Sequence, residues 1–532
     1  MISALAHLAR LARAGAVCAR EGVFGVFDSP QLPVPASIVV RFARLIERPA
    51  SAIAANRLAA ALTRLGPSYV KLGQFLATRP DVVGVALARD LESLQDKMAP
   101  FPQAEAERIV AAAFDRRVSE MFAVFGPPVA AASIAQVHRA EIRPSPPALA
   151  EAGTDAAPQA VAVKVLRPGI EHRCKVDLDA FAFAARLGES LSAEARRLRL
   201  IEVVETLRRS VAIEMDLRLE AAALSEMAEN TKDDPDFRVP SVDWNRTAHD
   251  VLTLEWIDGT PLSDRARLQA KGFDLKDLGR AVIQTFLRHA LRDGFFHADM
   301  HPGNLFVDHD GKLVAVDFGI MGRLGPNERR FLAEILYGFI TRDYHRTAEV
   351  HFEAGYVPHQ HSVESFAQAI RAIGEPIHNR TAEDISMARL LMLLFEVTGL
   401  FDMRTRPELI LLQKTMVVVE GVARTLDPKL DMWKVADPVV REWIERHLGV
   451  TGRIEGVAEG AREVGRFLGA VPALLGRGAA VMEQLDGITR DGLVLAPETV
   501  AAIGRAQARR NRWIAAALWL ITALLAWLVL RG

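Results

Sequence analysis

The spacing of hydrophobic residues changes character several times along the chain. The first twenty residues, MISALAHLARLARAGAVCAR, place apolar side chains on one helical face with Arg10, Arg13 and Arg20 beside it. They predict a first helix packed on the body of the protein. From about Ser37 to Asp90, Ala and Leu recur at helical period. After a Pro-bounded break at Ala99–Gln103, a further helix is expected over Glu105–Phe114. Alternation starts near Val129, and VAVKVL (Val161–Leu166) reads as a strand. Between them RPSPPALAEAGTDAAPQ has the Pro and small residues of a surface insertion. Helical spacing returns over Ile201–Glu229, HDVLTLEWIDGTPL reads as a strand leaving through a hinge, and Leu278–Asp293 as a long helix. NLFVD and KLVAVD flank the turn HDGK as a hairpin, and the chain from Asn327 to about Leu485 is helical in period. Trp513–Leu530 is eighteen residues without a charge, about the length of a membrane-crossing helix. Arg505, Arg509, Arg510 and Arg512 precede it, which would keep that side cytoplasmic. Trp513 and Trp527 would then sit near the two interfaces.

Composition narrows the function classes. The 65 Lys and Arg against 66 Asp and Glu give a formal charge of −1, so no global basic field points to nucleic acid. Cys18 and Cys174 have neither metal-ligand spacing nor the pattern of a disulfide framework. The amino terminus lacks the charged start and apolar core of a cleavable signal peptide.

The chemistry concentrates in GFFHADMHPGNLFVDHDGKLVAVDFG. Asp299 is followed five positions later by Asn304 and eighteen positions later by Asp317. The predicted hairpin would bring Asn304 and Asp317 to one end. Phosphoryl transfer needs such a set: a carboxylate at the nucleophile, and an amide and a carboxylate holding magnesium over the phosphates. Lys164 in VAVKVL is the natural phosphate contact, and it needs a carboxylate to orient it. EMDLRLEAA supplies candidates in Glu214, Asp216 and Glu220, with Asp216 and Glu220 on one face of a continuous helix. Lys164 and Lys71 are the lysines they could meet. Where phosphate must approach the backbone, a glycine-rich loop is the usual solution, but here the chain reads AAASIAQVH. Alanine narrows the backbone range that glycine would allow. Ser133 and Gln136 could then offer side-chain hydrogen bonds in place of bare amides.

KLGQ (Lys71 to Gln74), AAASIAQVH, VAVKV, EMD, HADMHPGN and DFG occur in the order found in the UbiB family of atypical protein-kinase-like proteins, which this chain resembles from roughly Ala50 to Arg330. The resemblance implies an α+β, protein-kinase-like two-lobed fold with an amino-terminal helical extension, a helical carboxy-terminal region and a carboxy-terminal transmembrane helix. The corresponding segments are 1–100 for the extension, 101–260 and 261–450 for the lobes, 451–512 for a helical connector and 513–530 for the span. It implies ATP and Mg2+ as cofactors. The ATP-binding residues would be Lys164 and the loop Ala130, Ala131, Ala132, Ser133, Ile134, Ala135, Gln136, Val137 and His138. Lys164 would pair with Glu220, Asp299 would be the base, and Asn304 and Asp317 would ligate the metal. Lys71, Gln74, Glu214 and Asp216 match motifs that ordinary kinases lack; in the family this element covers the cleft, its lysine meeting the Glu-x-Asp carboxylates.

The implied role is support of ubiquinone biosynthesis at a bacterial-type inner membrane, with the catalytic domain facing the cytoplasm. Membrane lipids, prenylated quinone precursors and other ubiquinone-biosynthesis proteins would be the partners. Members are often labelled 2-polyprenylphenol 6-hydroxylase, yet the chain has no flavin fingerprint, haem motif or iron facial triad. Departures from ordinary kinases argue against protein substrates. Ala298 replaces the usual arginine, and after DFG the chain runs IMGRLGPNERRFLAEIL with no Ala-Pro-Glu element. ATP hydrolysis or phosphorylation of a small lipid-like molecule fits better. Two competing readings are an ATP-binding scaffold without turnover, which has no need of a base at Asp299, and an aminoglycoside- or choline-type kinase, which lacks KLGQ.

Overall fold

A computed structural model of the protein describes residues 2–23, 47–48, 56–77, 98–142, 158–376 and 407–448, with a few single positions between them. The chain divides into the units Met1–Ile444 and Glu445–Gly532. Of the second, only residues 445–448 are described, and the site lies wholly in the first.

The amino-terminal extension is helical: α1 (Ile2–Arg20), α2 (Arg57–Leu65) and α3 (Pro67–Ala77), the last carrying KLGQ. Gly73 explains how α3 fits, because a Cβ there would come within 2.3 Å of Leu94 and 2.6 Å of Leu62. Next come α4 (Gln103–Phe114), α5 (Val118–Met121) and an antiparallel sheet of β1 (Val124–Ala131), β2 (Ala135–Ile142), β3 (Gln159–Leu166) and β5 (Val251–Glu255) in the order β1-β2-β3-β5. Pro127 and Pro128 cannot donate to a ladder, and they sit on the edge strand, where its register slips. Alternation assigns the faces. Val161, Val163 and Val165 pack with Ala106 and Val110 of α4, which leaves Ala162 and Lys164 on the opposite face.

Between β3 and β5 lie α6 (Ile170–Leu191), α7 (Ala193–Arg197), α8 (Leu200–Glu214) and α9 (Leu217–Asn230). The single helix expected over Ile201–Glu229 is thus two. Asp216 takes extended backbone (φ −107°, ψ 96°) and its side chain accepts from the Arg218 N–H, capping α9. Asp216 and Glu220 therefore do not share a helical face as body residues; one starts the helix that carries the other.

The second lobe opens with α10 (Arg265–Ala270) and α11 (Leu275–Arg288), whose end loosens into a π turn over His289–Asp293. Two small sheets follow. One pairs β10 (Met321–Arg323) with β7 (Phe295–His297); the other runs β4 (Phe237–Arg238), β9 (Leu313–Ala315), β8 (Leu305–Val307), β6 (Thr260–Pro261). Helices α12 (Pro326–Thr341), α13 (Tyr344–Glu353), α14 (Val363–Gly374), α15 (Pro407–Leu426) and α16 (Met432–Leu448) complete it. Gly322 lies opposite Phe296 on β7, and a Cβ at Gly322 would stand 2.1 Å from the ring. Phe296 is almost fully buried, so the ring has nowhere to go. Gly322→Ala is expected to cost roughly 1–3 kcal/mol, read as a lowered thermal midpoint.

The transmembrane helix is corrected. Among the described residues no helix is long and apolar enough to cross a membrane. The described residues therefore do not support it as part of the fold class, nor the carboxy-terminal anchor and inner-membrane location that rested on it. The stretch Trp513–Leu530 lies outside the described residues, as does the connector 451–512. What stands is a kinase-like domain followed by a helical region.

Candidate functional site

Lys164 is the centre of the site. Its Nζ is 2.9 Å from both carboxylate oxygens of Glu220 on α9 and 2.9 Å from Oδ1 of Asp317. Burial works against the ammonium, but the two carboxylates outweigh it and hold the lysine pKa above its ordinary value. The Lys164 charge, acting against burial, keeps Asp317 well below the usual carboxylate range, and Lys71 adds to the effect. Glu220 is deeper, and burial pushes it up despite the lysine. Asp317 differs in being 47% exposed, so it can still reach a ligand.

Asp317 also holds unusual backbone, with φ at +65°. Few residues other than glycine adopt that region, Asp and Asn most readily. Strain kept at a carboxylate that faces a cleft is the pattern of a functional residue. Phe318 is buried behind it, its ring edge-on to His297 at 4.9 Å.

The hairpin does what its spacing predicted. Leu305 pairs with Ala315, and the Val316 N–H donates to the Asn304 carbonyl at 2.9 Å, so Asn304 and Asp317 lie at the same end. The turn is organised by Asp308, which accepts from the Asp310 and Lys312 N–H groups and pairs with Arg238. Asn304 Nδ2 donates to the Asp299 carbonyl and to Asp299 Oδ2, each at 3.2 Å. That arrangement spends the Asn304 amide nitrogen on Asp299 and leaves its amide oxygen as the atom that could ligate a cation. Asn304 and Asp317 thus offer oxygen donors, the type that hard cations such as magnesium take. The residues present fit that ion, which when bound would offset the negative charge of the phosphates.

His297, the first residue of HADMHPGN, ties the site together. Its Nδ1 accepts from the Asp299 N–H at 3.0 Å, and Nε2 lies 3.4 Å from the Val316 carbonyl. A neutral ring with the proton on Nε2 satisfies both contacts. Burial lowers the pKa of His297, as it does for His138, His289 and His351. A depressed histidine binds fewer protons folded than unfolded, so it stabilises the fold above the unfolded pKa of about 6.5 and loses that contribution below it. Thermal stability is therefore expected to fall as pH drops from about 7 toward 5. Each histidine can add up to about 1.4 kcal/mol per pH unit. Calorimetric melts across that range check it; a flat midpoint would mean that the four rings titrate alike in the folded and unfolded chain.

The alanine-rich loop closes the β1–β2 hairpin tightly, with the Ala132 N–H donating to the Ala135 carbonyl at 2.8 Å. No residue of this turn has a positive φ, so it needs no glycine. Ala130 is exposed, and Ala131, Ala132 and Val137 are half-buried. Ser133, Ile134, Ala135, Gln136 and His138 are buried. Gln136 is engaged in the scaffold: Oε1 accepts from the Phe101 N–H at 2.9 Å, and Nε2 donates to His138 Nε2 at 2.9 Å. His138 Nδ1 in turn donates to the Gly126 carbonyl. Arg167, unremarkable in sequence, clasps the turn from below, its Nε on the Ala132 carbonyl at 2.8 Å and its Nη2 on that of Ala99 at 3.0 Å.

Lys71 pairs with Glu214 at 2.5 Å, both side chains 11% exposed. Asp216 instead pairs with Arg218 at 2.8 Å. Gln74, one turn beyond Lys71 on α3, is half-buried. The extension thus lays a lysine beside the end of α8 and close enough to Asp317 to depress its pKa.

Residues 93–351 match the ABC1 atypical kinase-like domain and residues 370–431 the UbiB helical domain. The chain is 38% identical to the Probable protein kinase UbiB of Marinobacter nauticus, over 85% of this chain and 81% of the relative. A solved complex of Rv3197 with erythromycin from Mycobacterium tuberculosis aligns at a TM-score of 0.49 and 25% identity, covering 72% of this chain and 95% of the other. With a kinase-like cleft built around Lys164, Glu220 and Asp317, and with a curated relative matched along most of both chains, this protein belongs to the UbiB family.

Proposed function

We propose that the protein is an atypical kinase or ATPase that supports ubiquinone biosynthesis, hydrolysing Mg-ATP or phosphorylating a small lipid-like molecule such as a prenylated quinone precursor. The observation that carries the reading is Lys164 held 2.9 Å from both Glu220 and Asp317. In that arrangement Glu220 orients the lysine, and the lysine meets the α/β-phosphates. Asn304 and Asp317 would hold the metal, whose charge would offset that of the phosphates. Asp299 takes the proton of the attacking water or hydroxyl, while its N–H bond to His297 and its contacts with Asn304 fix its position.

Two features favour a small acceptor over a protein. Only residues 320–325 separate Gly319 from α12, too short a stretch for a peptide-binding activation loop. Lys71, paired with Glu214, lies near enough to Asp317 to lower its pKa, so α3 borders the space a peptide would need. Membership of the UbiB family supports the link to ubiquinone. Magnesium-dependent ATP hydrolysis by the parent and by Asp299→Asn tests the enzyme against a scaffold. Turnover is expected to fall at least about 100-fold with nucleotide affinity kept within about threefold, the scale of a lost general base. Equal rates in the two proteins, or none in the parent, would leave an ATP-binding scaffold as the better description.

A further inference from the structure

We infer that Thr415, on α15 of the helical carboxy-terminal region, is a positioning residue that holds the backbone of Ala298 and through it the catalytic loop. The Thr415 hydroxyl is fully buried and lies 3.0 Å from the Ala298 carbonyl and 2.8 Å from that of Leu411, one turn back on its own helix. Its single hydrogen is shared between them, a three-centre bond rather than the purely local one that a helical threonine usually makes.

Ala298 stands between His297 and Asp299 and is itself buried. Its methyl side chain can anchor nothing, so its peptide is held from outside. On one side its N–H donates to the Ile320 carbonyl at 3.1 Å, just beyond DFG. On the other, among the described residues, Thr415 is the donor to its carbonyl. The donor is itself firmly placed. Helix α15 buries Leu412, Val419 and Ala423, and it lies so close to α11 that a Cβ at Gly279 would be 3.2 Å from the Ala423 carbonyl. A displacement of α15 would therefore act on the peptide adjoining Asp299. The helical region thereby adds a second brace to the one that Ile320, in the short segment after DFG, gives the Ala298 N–H.

The inference rests on reading Asp299 as the base, and the test separates the two. Hydrogen exchange is measured over residues 297–304 in the full chain, in Thr415→Val and in Thr415→Ser, alongside magnesium-dependent ATP turnover and nucleotide affinity. Valine keeps the volume and leaves the Ala298 carbonyl buried without its donor; serine keeps the hydroxyl. Exchange over 297–304 is expected to rise about five- to tenfold in Thr415→Val and to stay near the parent in Thr415→Ser. Turnover should fall by a similar factor at unchanged nucleotide affinity, and serine should rescue it. Unchanged exchange in Thr415→Val, or an equal rise in Thr415→Ser, would overturn the role. So would an equal rise over 275–288, which marks general loosening. A parent without turnover would sink the Asp299 reading alone, because the exchange result still decides Thr415.

Discussion

Asp317→Asn is expected to abolish magnesium-dependent ATP binding while leaving the fold intact. Asparagine adopts the left-handed region about as readily as aspartate, so the +65° backbone at this position survives the change. Lys164 keeps both Glu220 oxygens at 2.9 Å, so the lysine does not lose its orientation. What disappears is the negative charge that a hard cation requires beside the Asn304 oxygen. Groups one step removed from a metal ligand already cost 10–100-fold when mutated, so losing the ligand charge itself should cost at least about 100-fold. Calorimetric titration of ATP with magnesium and with a chelator separates metal-dependent from metal-free affinity. Magnesium-ATP affinity equal to the parent's would remove Asp317 from the metal site.

Lys164→Met should be the most damaging single change in the cleft to stability and activity together. Methionine keeps the length of the stem but strips the cation from two carboxylates. Glu220 is deeply buried, and breaking a buried pair from one side costs about 3–5 kcal/mol. Asp317 contributes less because water screens its exposed half. The sign of the pH dependence is specific. Without the lysine, the folded-state pKa of Glu220 rises further above its unfolded value, so the variant gains stability as protons bind it. The gap between parent and variant should therefore narrow as pH falls from about 7 toward 5, a trend to be read from paired melts. A gap constant with pH would mean that Glu220 stays ionised without its partner. Nucleotide turnover should be lost throughout that range.

Local signals made much of this site readable in advance. The interval from Asn304 to Asp317 is short enough for one hairpin, and a hairpin leaves few ways to place its ends. Period-2 alternation put Lys164 on the face away from Val163 and Val165. The break in the helix at Asp216 was less visible, because Glu-Met-Asp-Leu-Arg is compatible with helix and only the cap geometry interrupts it. Gln136 shows a different limit: an amide near a nucleotide loop can face phosphate or scaffold, and packing against Phe101 chose the scaffold. Hydropathy over Trp513–Leu530 suggested a membrane span, but apolarity along a stretch does not state what buries it, and no described helix has that character.

Taken alone, the sequence determined the chemistry on offer: a strand lysine, a candidate base, two candidate metal ligands and a shortened segment after DFG, each set by residue type and short-range spacing. Only tertiary structure decided which groups meet. Glu220 reaches Lys164 across 56 residues, Asp317 across 153, and Lys71 finds Glu214 rather than Asp216. His297, Arg167 and Thr415 acquire their roles from backbone carbonyls and amides that belong to other segments. Backbone groups are the same at every residue, so no side-chain pattern in the sequence can say which of them a distant histidine, arginine or threonine will hold.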